Sequence, residues 1–266
     1  QNQPWEWYIQ QMTDQLGANQ IDCGCGHGGW YYGTFENRCG GCGEMDASTA
    51  QWGYIGLESA EVAGKPYGVM VANNHKYSIA NNLVRNQRGD GGAAYRSQDR
   101  YRSDFKLTGG SLVGARWLGI HQMDINSNVN PFPGYSDFVE GNLRNAYNRY
   151  VQHLADDWNC AGCTGSHWTD SQWQNGDYLC GNANGVHPHY RCGVTYTMYS
   201  LQKGFRTGRP ELLQVGGHDW VREYNTYYLR AQDRHYSAGN PMHNYNVNGR
   251  LYDEYCGNHS VTCHGR

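Results

Sequence analysis

Apolar side chains recur three or four positions apart through most of this chain, and strict alternation is scarce. The stretch "DASTAQWGYIGLESAEVAG", from Asp46, places Ala50, Tyr54, Leu57 and Glu61 on one helical face. Asp46 suits its N-cap and Gly64 its stop. "DFVEGNLRNAYNRYVQHLADDW" aligns Val139, Leu143, Ala146, Tyr150 and Leu154, and "HDWVREYNTYYLRAQ" aligns Val221, Tyr224, Tyr228 and Ala231 behind an Asp219 cap. Similar spacing predicts helices near 4–16, 74–87, 108–121 and 191–206. The fold class is all-α with long glycine-rich connections, in a single domain over 1–266.

Those connections recur in kind. "GHGGWYYG" precedes the helix at Asp46, "RGDGGAAYRS" lies between "HKYSIANNLVRNQ" and "TGGSLVGARWLGI", and "TGSHWTDSQWQNGDYL" precedes "RCGVTYTMYSLQKGF". The unit is helix, Gly/aromatic turn, helix, returning roughly every 60–75 residues. A helical hairpin that cannot bury its apolar face alone must stack on its neighbours.

"GGWYYGT" with "DASTAQWGYIGLESAE", "NQRGDGGAAYRS" with "LTGGSLVGARWLGI", and "TYTMYSLQKGFR" with "GGHDWVREYNTYYLRAQ" resemble the repeats of the prenyltransferase and squalene-cyclase (terpenoid cyclase) superfamily. The resemblance covers about two-thirds of the chain in scattered pieces and implies an α/α toroid of helical hairpins. With about eight helices the chain falls short of a closed ring, so the toroid is expected to be incomplete or completed by another chain. The superfamily's chemistry is not carried over. Its cyclases use Asp-x-Asp-Asp, whereas the one Asp pair here, Asp156-Asp157, stands near a helix end beside Trp158 and reads as solvated. Its protein prenyltransferases bind zinc through Asp-x-Cys; here Asp22 and Cys23 are adjacent and Cys25 is three away, with His27 as a further weak ligand. "GCGEM" is similar to the Cys-Gly-Glu-Gln of thioester domains on the same fold, but Met45 has no carbonyl for a thiol to attack.

Leu, Ile, Val and Phe total 39 residues, too few for an ordinary core, while 22 Tyr and 9 Trp supply the missing apolar area. The expected interior is rich in Tyr and Trp, under a Gly/Asn/Gln surface. A net charge of -3 without a basic run gives no footprint for nucleic acid, and no stretch approaches the ~18 apolar residues of a membrane span. Ten cysteines, Cys23, Cys25, Cys39, Cys42, Cys160, Cys163, Cys180, Cys192, Cys256 and Cys263, point to disulfides in a secreted, extracellular or periplasmic protein. The sequon at Asn258 agrees with that compartment, and Gln1 would suit a mature N-terminus. Connectivity is open.

Cys39-x2-Cys42 and Cys160-x2-Cys163 have zinc-ligand spacing, the alternative to disulfides. Neither is followed by His, so covalent haem is unsupported, and no cofactor is expected. Trp30, Tyr32, Trp168 and Trp173 in predicted turns are candidates for stacking on a saccharide, against the plainer reading that most such rings pack between helices. His187 and His189 flank Pro188 and are the acid/base candidates if the chain is a polysaccharide lyase or hydrolase. The favoured function is non-catalytic and structural. The chain would self-assemble into an extracellular filament, through copies of itself, or bind an extracellular polymer. A terpenoid- or lipid-binding toroid is the third reading. Thiol titration of the unreduced, denatured protein is expected to find no free thiol. Thiols that emerge only after chelation would mark a metal site instead.

Overall fold

The computed structural model describes residues 3–32, 45–96, 103, 105–135, 137–158 and 195–225. Helices dominate them. Helix α1 (Trp5–Ala18) starts behind Pro4, with Glu6 in its first turn facing the positive end of the helix dipole. Helix α2 (Ala47–Gly64) is capped by Asp46, whose Oδ1 accepts from the Ser48 and Thr49 amides at 2.8 and 3.2 Å. Helices α3 (Asn73–Arg85), α4 (Phe105–Trp117), α5 (Glu140–Asp157) and α6 (Thr195–Arg206) follow. A hairpin pairs β1 (Gln214–Val215) with β2 (His218–Asp219) across Gly216 and Gly217, both at positive φ, as a tight two-residue turn requires. Helical backbone then runs over 220–225, with Asp219 accepting from the Arg222 amide at 3.0 Å.

The expected helices agree with these in existence and type, and their ends shift by a few residues. The helix expected over 108–121 runs Phe105–Trp117 and is stopped by Gly119 at φ 74. The face expected for 218–232 needs correction: Trp220 and Tyr224 are buried and Val221 is exposed, while Tyr228 and Ala231 lie outside the described residues.

Helix α4 is the centre of the described fold. Every residue from Leu107 to Arg116 is buried. It packs most extensively on α6 and α2, with α3 and α5 against it as well, and α1 packs on α2. Glycines set the spacing. A Cβ on Gly109 would lie 2.8 Å from the Leu201 amide nitrogen of α6, and one on Gly204 would lie 2.6 Å from the Gly109 carbonyl oxygen. On the other side, a Cβ on Gly110 would meet Gln51 of α2 at 2.6 Å. Helices α2 and α6 also meet each other directly. The Ser200 hydroxyl donates to Gln51 Oε1 at 2.9 Å, and Lys203 pairs with Glu58 at 3.1 Å. Three helices thus close on one another around Gln51.

The core contains the expected aromatics, among them Trp30, Tyr54, Tyr77, Tyr147, Tyr150, Trp158 and Trp220. Phe205, Trp158, Tyr224 and Trp220 form one cluster, with the Trp158 indole N–H donating to Glu223. The expected Gly/Asn/Gln surface is corrected: Gln20, Gln51, Asn81, Asn82 and Asn86 are all buried. Each engages a polar partner that helix packing alone would leave unmet. Arg116 is buried too. It donates to the carbonyls of Thr207 and Pro210 and to the Tyr147 hydroxyl, tying the end of α4 to the chain after α6.

Gly109→Ala and Gly204→Ala should each destabilise by about 1–3 kcal/mol, because the nearest atoms are backbone and cannot swing aside. Gly89→Ala, with open space and no positive φ, should shift stability by less than about 1 kcal/mol. Urea unfolding of the three variants checks the contrast.

Candidate functional site

Two glycine-rich turns among the described residues carry clusters of polar side chains, and both dock on the backs of helices. In the first, Gly28 sits at φ 88 so close to α3 that a Cβ would fall 1.7 Å from the Ser78 carbonyl oxygen. Beside it, His27 Nε2 lies 3.0 Å from Ser78 Oγ and Nδ1 lies 3.3 Å from Asn81 Nδ2. An amide nitrogen can only donate, so Nδ1 accepts, Nε2–H donates to Ser78, and the ring is neutral. Burial holds the His27 pKa below the ordinary histidine range. Arg85 adds to that and Asp22 works against it. Asn82 completes the dock, donating to the His27 carbonyl and to Met45 Sδ while its Oδ1 accepts from Tyr54. Met45 is therefore a core residue. Cys23 and Cys25 are disulfide-bonded, so neither offers a thiolate beside His27 for the zinc set weighed above.

The second turn repeats the device on α5. Gly91, at φ 95, would place a Cβ 2.7 Å from the Arg149 carbonyl oxygen, and Gln87 donates to the carbonyls of Gly91 and Ala146. Here Asp90, Ser103 and His153 come together in the residue types of a nucleophilic triad. Their order is wrong for one. The single Ser103 hydroxyl proton goes to Asp90 Oδ2 at 2.8 Å, so the 3.0 Å contact with His153 Nε2 has the histidine as donor. The Ser103 proton is directed at a carboxylate and not at the imidazole, and Ser103 and His153 are both buried. Burial alone would raise the Asp90 pKa. Hydrogen bonds from Ser103 and Gly92, with the charge of His153, more than offset this and hold it below the usual carboxylate range. The trio fastens a turn.

Two more histidines serve the same end. His75 Nδ1 donates to Gln20 Oε1 at 3.1 Å, and His121 Nε2 donates to the Arg209 carbonyl at 2.9 Å with its Nδ1 buried. Burial lowers the pKa of both. Asp14 opposes this at His75; at His121 the Arg209 carbonyl opposes it while Arg116 and Arg144 add to it.

Of the saccharide candidates, Trp30 is corrected to a core residue. It is 4% exposed, donates to the Leu16 carbonyl and packs edge-on against Tyr54. Tyr32 is exposed. Trp168, Trp173, His187, His189, Asn258 and every cysteine other than Cys23 and Cys25 lie outside the described residues. Among the described residues no group of three His, Cys, Asp or Glu side chains is arranged to hold a metal ion, and no helix is long and apolar enough to cross a membrane.

What the sequence reading missed is an exposed aromatic face over the first two turns of α2. Trp52, 51% exposed, stacks on Tyr199 of α6, 41% exposed, with centroids 5.7 Å apart and planes 25° from parallel. One turn earlier, Ser48 Oγ lies 3.2 Å from the Tyr32 hydroxyl. Behind them Tyr95 donates to the buried Asp46 carboxylate, the main reason its pKa rises to about 12, and the Arg96 guanidinium sits 5.8 Å over the Tyr95 ring. The signal was present: Trp52 stands opposite the stripe of Ala50, Tyr54 and Leu57, where packing does not call for an indole. A second apolar edge runs along α1, where Trp5, Tyr8 and Met12 are exposed, with Met70 held beside it by Gln10. No family model matches this chain, and neither a curated protein nor a solved structure matches it.

The three histidines give a signed pH dependence. Their folded pKa values lie below the unfolded value of about 6.5, so the unfolded chain takes up protons first as pH falls. Stability should be full above about pH 6.5 and decline from there toward pH 5, before most carboxylates titrate. Thermal melts at pH 7.5, 6.5 and 5.5 check this; a flat or rising Tm toward acid would contradict it.

Proposed function

We propose that this chain is an extracellular, disulfide-stapled structural protein that works by assembling with copies of itself rather than by catalysis. Its architecture would be an incomplete α/α repeat related to the toroids of the prenyltransferase and cyclase superfamily. The order of packing supports this: α4 is the common partner, with α6 and α2 against it most extensively, α3 and α5 on it as well, and α1 on α2. Equivalent glycine turns dock on α3 and α5, as expected of repeated hairpins. The remaining disulfides and the secreted location belong to the same proposal and rest on the cysteine pattern.

The observation that carries the reading is the edge of α1. Trp5 is 81% exposed and Met12 73%, and with Tyr8 they form one stripe at i, i+3 and i+7. Large apolar side chains gathered on one exposed helix face mark a place where another surface is covered. In a stack of hairpins an end helix offers its outer face to the next unit, and a contact that does not close on itself propagates as a filament. The polar groups that would otherwise argue for an enzyme, Asp90, Ser103, His153 and His27, are occupied in docking turns to helices.

Light scattering over rising concentration should show mass growing beyond the monomer. The double variant Trp5→Glu, Met12→Glu should return it to monomer with unchanged helical content. A strictly monomeric wild-type protein at high concentration would refute the proposal, and a discrete dimer would refute the filament.

A further inference from the structure

We infer that the aromatic face formed by Trp52, Tyr199, Tyr32 and Ser48 is a carbohydrate-binding site. It lies over the start of α2 and is separate from the α1 edge, so it stands or falls independently of self-assembly. Three features converge on a sugar rather than a purely apolar partner. First, the stacked pair is presented to solvent. Trp52 and Tyr199 reach each other across the α2–α6 contact, yet each keeps about half of its surface free. The helices beneath are fixed by the Gln51–Ser200 hydrogen bond and the Glu58–Lys203 ion pair, so the rings stand on a rigid base.

Second, hydroxyls border the rings in a fixed orientation. Ser48 gives its proton to Asp46 Oδ1, so in the 3.2 Å contact with Tyr32 the tyrosine is the donor. The two hydroxyls therefore lie together beside the rings, each held by a protein partner. Ser48 and Trp52 are one helical turn apart on α2, which sets a hydroxyl beside an aromatic plane. A pyranose has that duality: C–H groups on its faces stack on aromatic rings, and hydroxyls on its rim donate to oxygen acceptors. Third, a cation stands behind these hydroxyls. Arg96 lies over Tyr95, whose hydroxyl donates to the same Asp46 that holds Ser48. A guanidinium placed there would also recognise a uronate carboxylate.

Trp5 and Trp7 are exposed as well and serve as internal controls. The intact protein is treated with N-bromosuccinimide alone or with hydroxyethylcellulose, glycol chitin or polygalacturonate, and oxidation at each Trp is read by peptide mass spectrometry. At least one of the three polymers should slow oxidation of Trp52 by about tenfold and leave Trp5 unchanged. Protection by polygalacturonate alone would assign the Arg96 side to a uronate. In affinity electrophoresis the same polymer should retard the wild-type protein. Trp52→Ala and Tyr199→Ala should each weaken that retardation about tenfold, and Trp5→Glu, Met12→Glu should leave it intact. Equal oxidation of Trp52 with and without every polymer, equal protection of Trp5, or full retardation of the Trp52→Ala, Tyr199→Ala double variant would overturn the inference.

Discussion

Close approach of α4 to its two neighbours is the constraint from which the rest of the described structure follows. Gly109 and Gly110 stand side by side on α4 and serve different partners, one against the backbone of α6 and the other against Gln51 of α2. With the two neighbours drawn in that far, side chains of α2 and α6 reach each other, and Gln51 is buried where all three converge. An amide there needs a partner in a dry place, and the Ser200 hydroxyl is one. In a chain with few aliphatic side chains, packing backbone against backbone replaces bulk: dispersion contacts come from the helices' own atoms. The glycine content is thus part of the core as well as of the loops.

A core assembled in this way leaves many polar groups inside, and their pairing explains what the histidines do. His27, His75, His121 and His153 each join a turn or a link to a helix through neighbouring amides, hydroxyls or carbonyls. Such contacts are directional, so they set the register of the glycine turns in a way that apolar contacts do not. Because the rings are held neutral or committed as donors, they are poor general bases where they stand. Among the described residues the histidines named here are engaged in holding the fold, and large exposed aromatic side chains stand on α1, α2 and α6.

Much of this was legible in the sequence. The period of Leu143, Ala146, Tyr150 and Leu154 located α5, and Asp46 with Gly64 bounded α2, because cap chemistry is local. What failed depended on distant partners. Trp30 in a Gly-rich turn looks like a surface ring, but the turn folds back and the indole finds the Leu16 carbonyl inside the core. Asn82 and Gln51 look like surface residues until α2, α3 and α6 enclose them. The buried face at Trp220 differs by one residue from the expected one at Val221, and β1 and β2, two residues each, are too short to show a period. That Met45 receives the Asn82 amide depends on α3 folding against it, which no local motif announces.

We propose a division of labour between an interior fixed by α4 and an outer edge at α1 that would meet another copy. Hydrogen exchange measured at several protein concentrations tests both halves at once. Amides of α4 should be among the slowest to exchange at every concentration, and amides of α1 should gain protection as concentration rises. Exchange in α1 that is indifferent to concentration, or early exchange of α4, would contradict it.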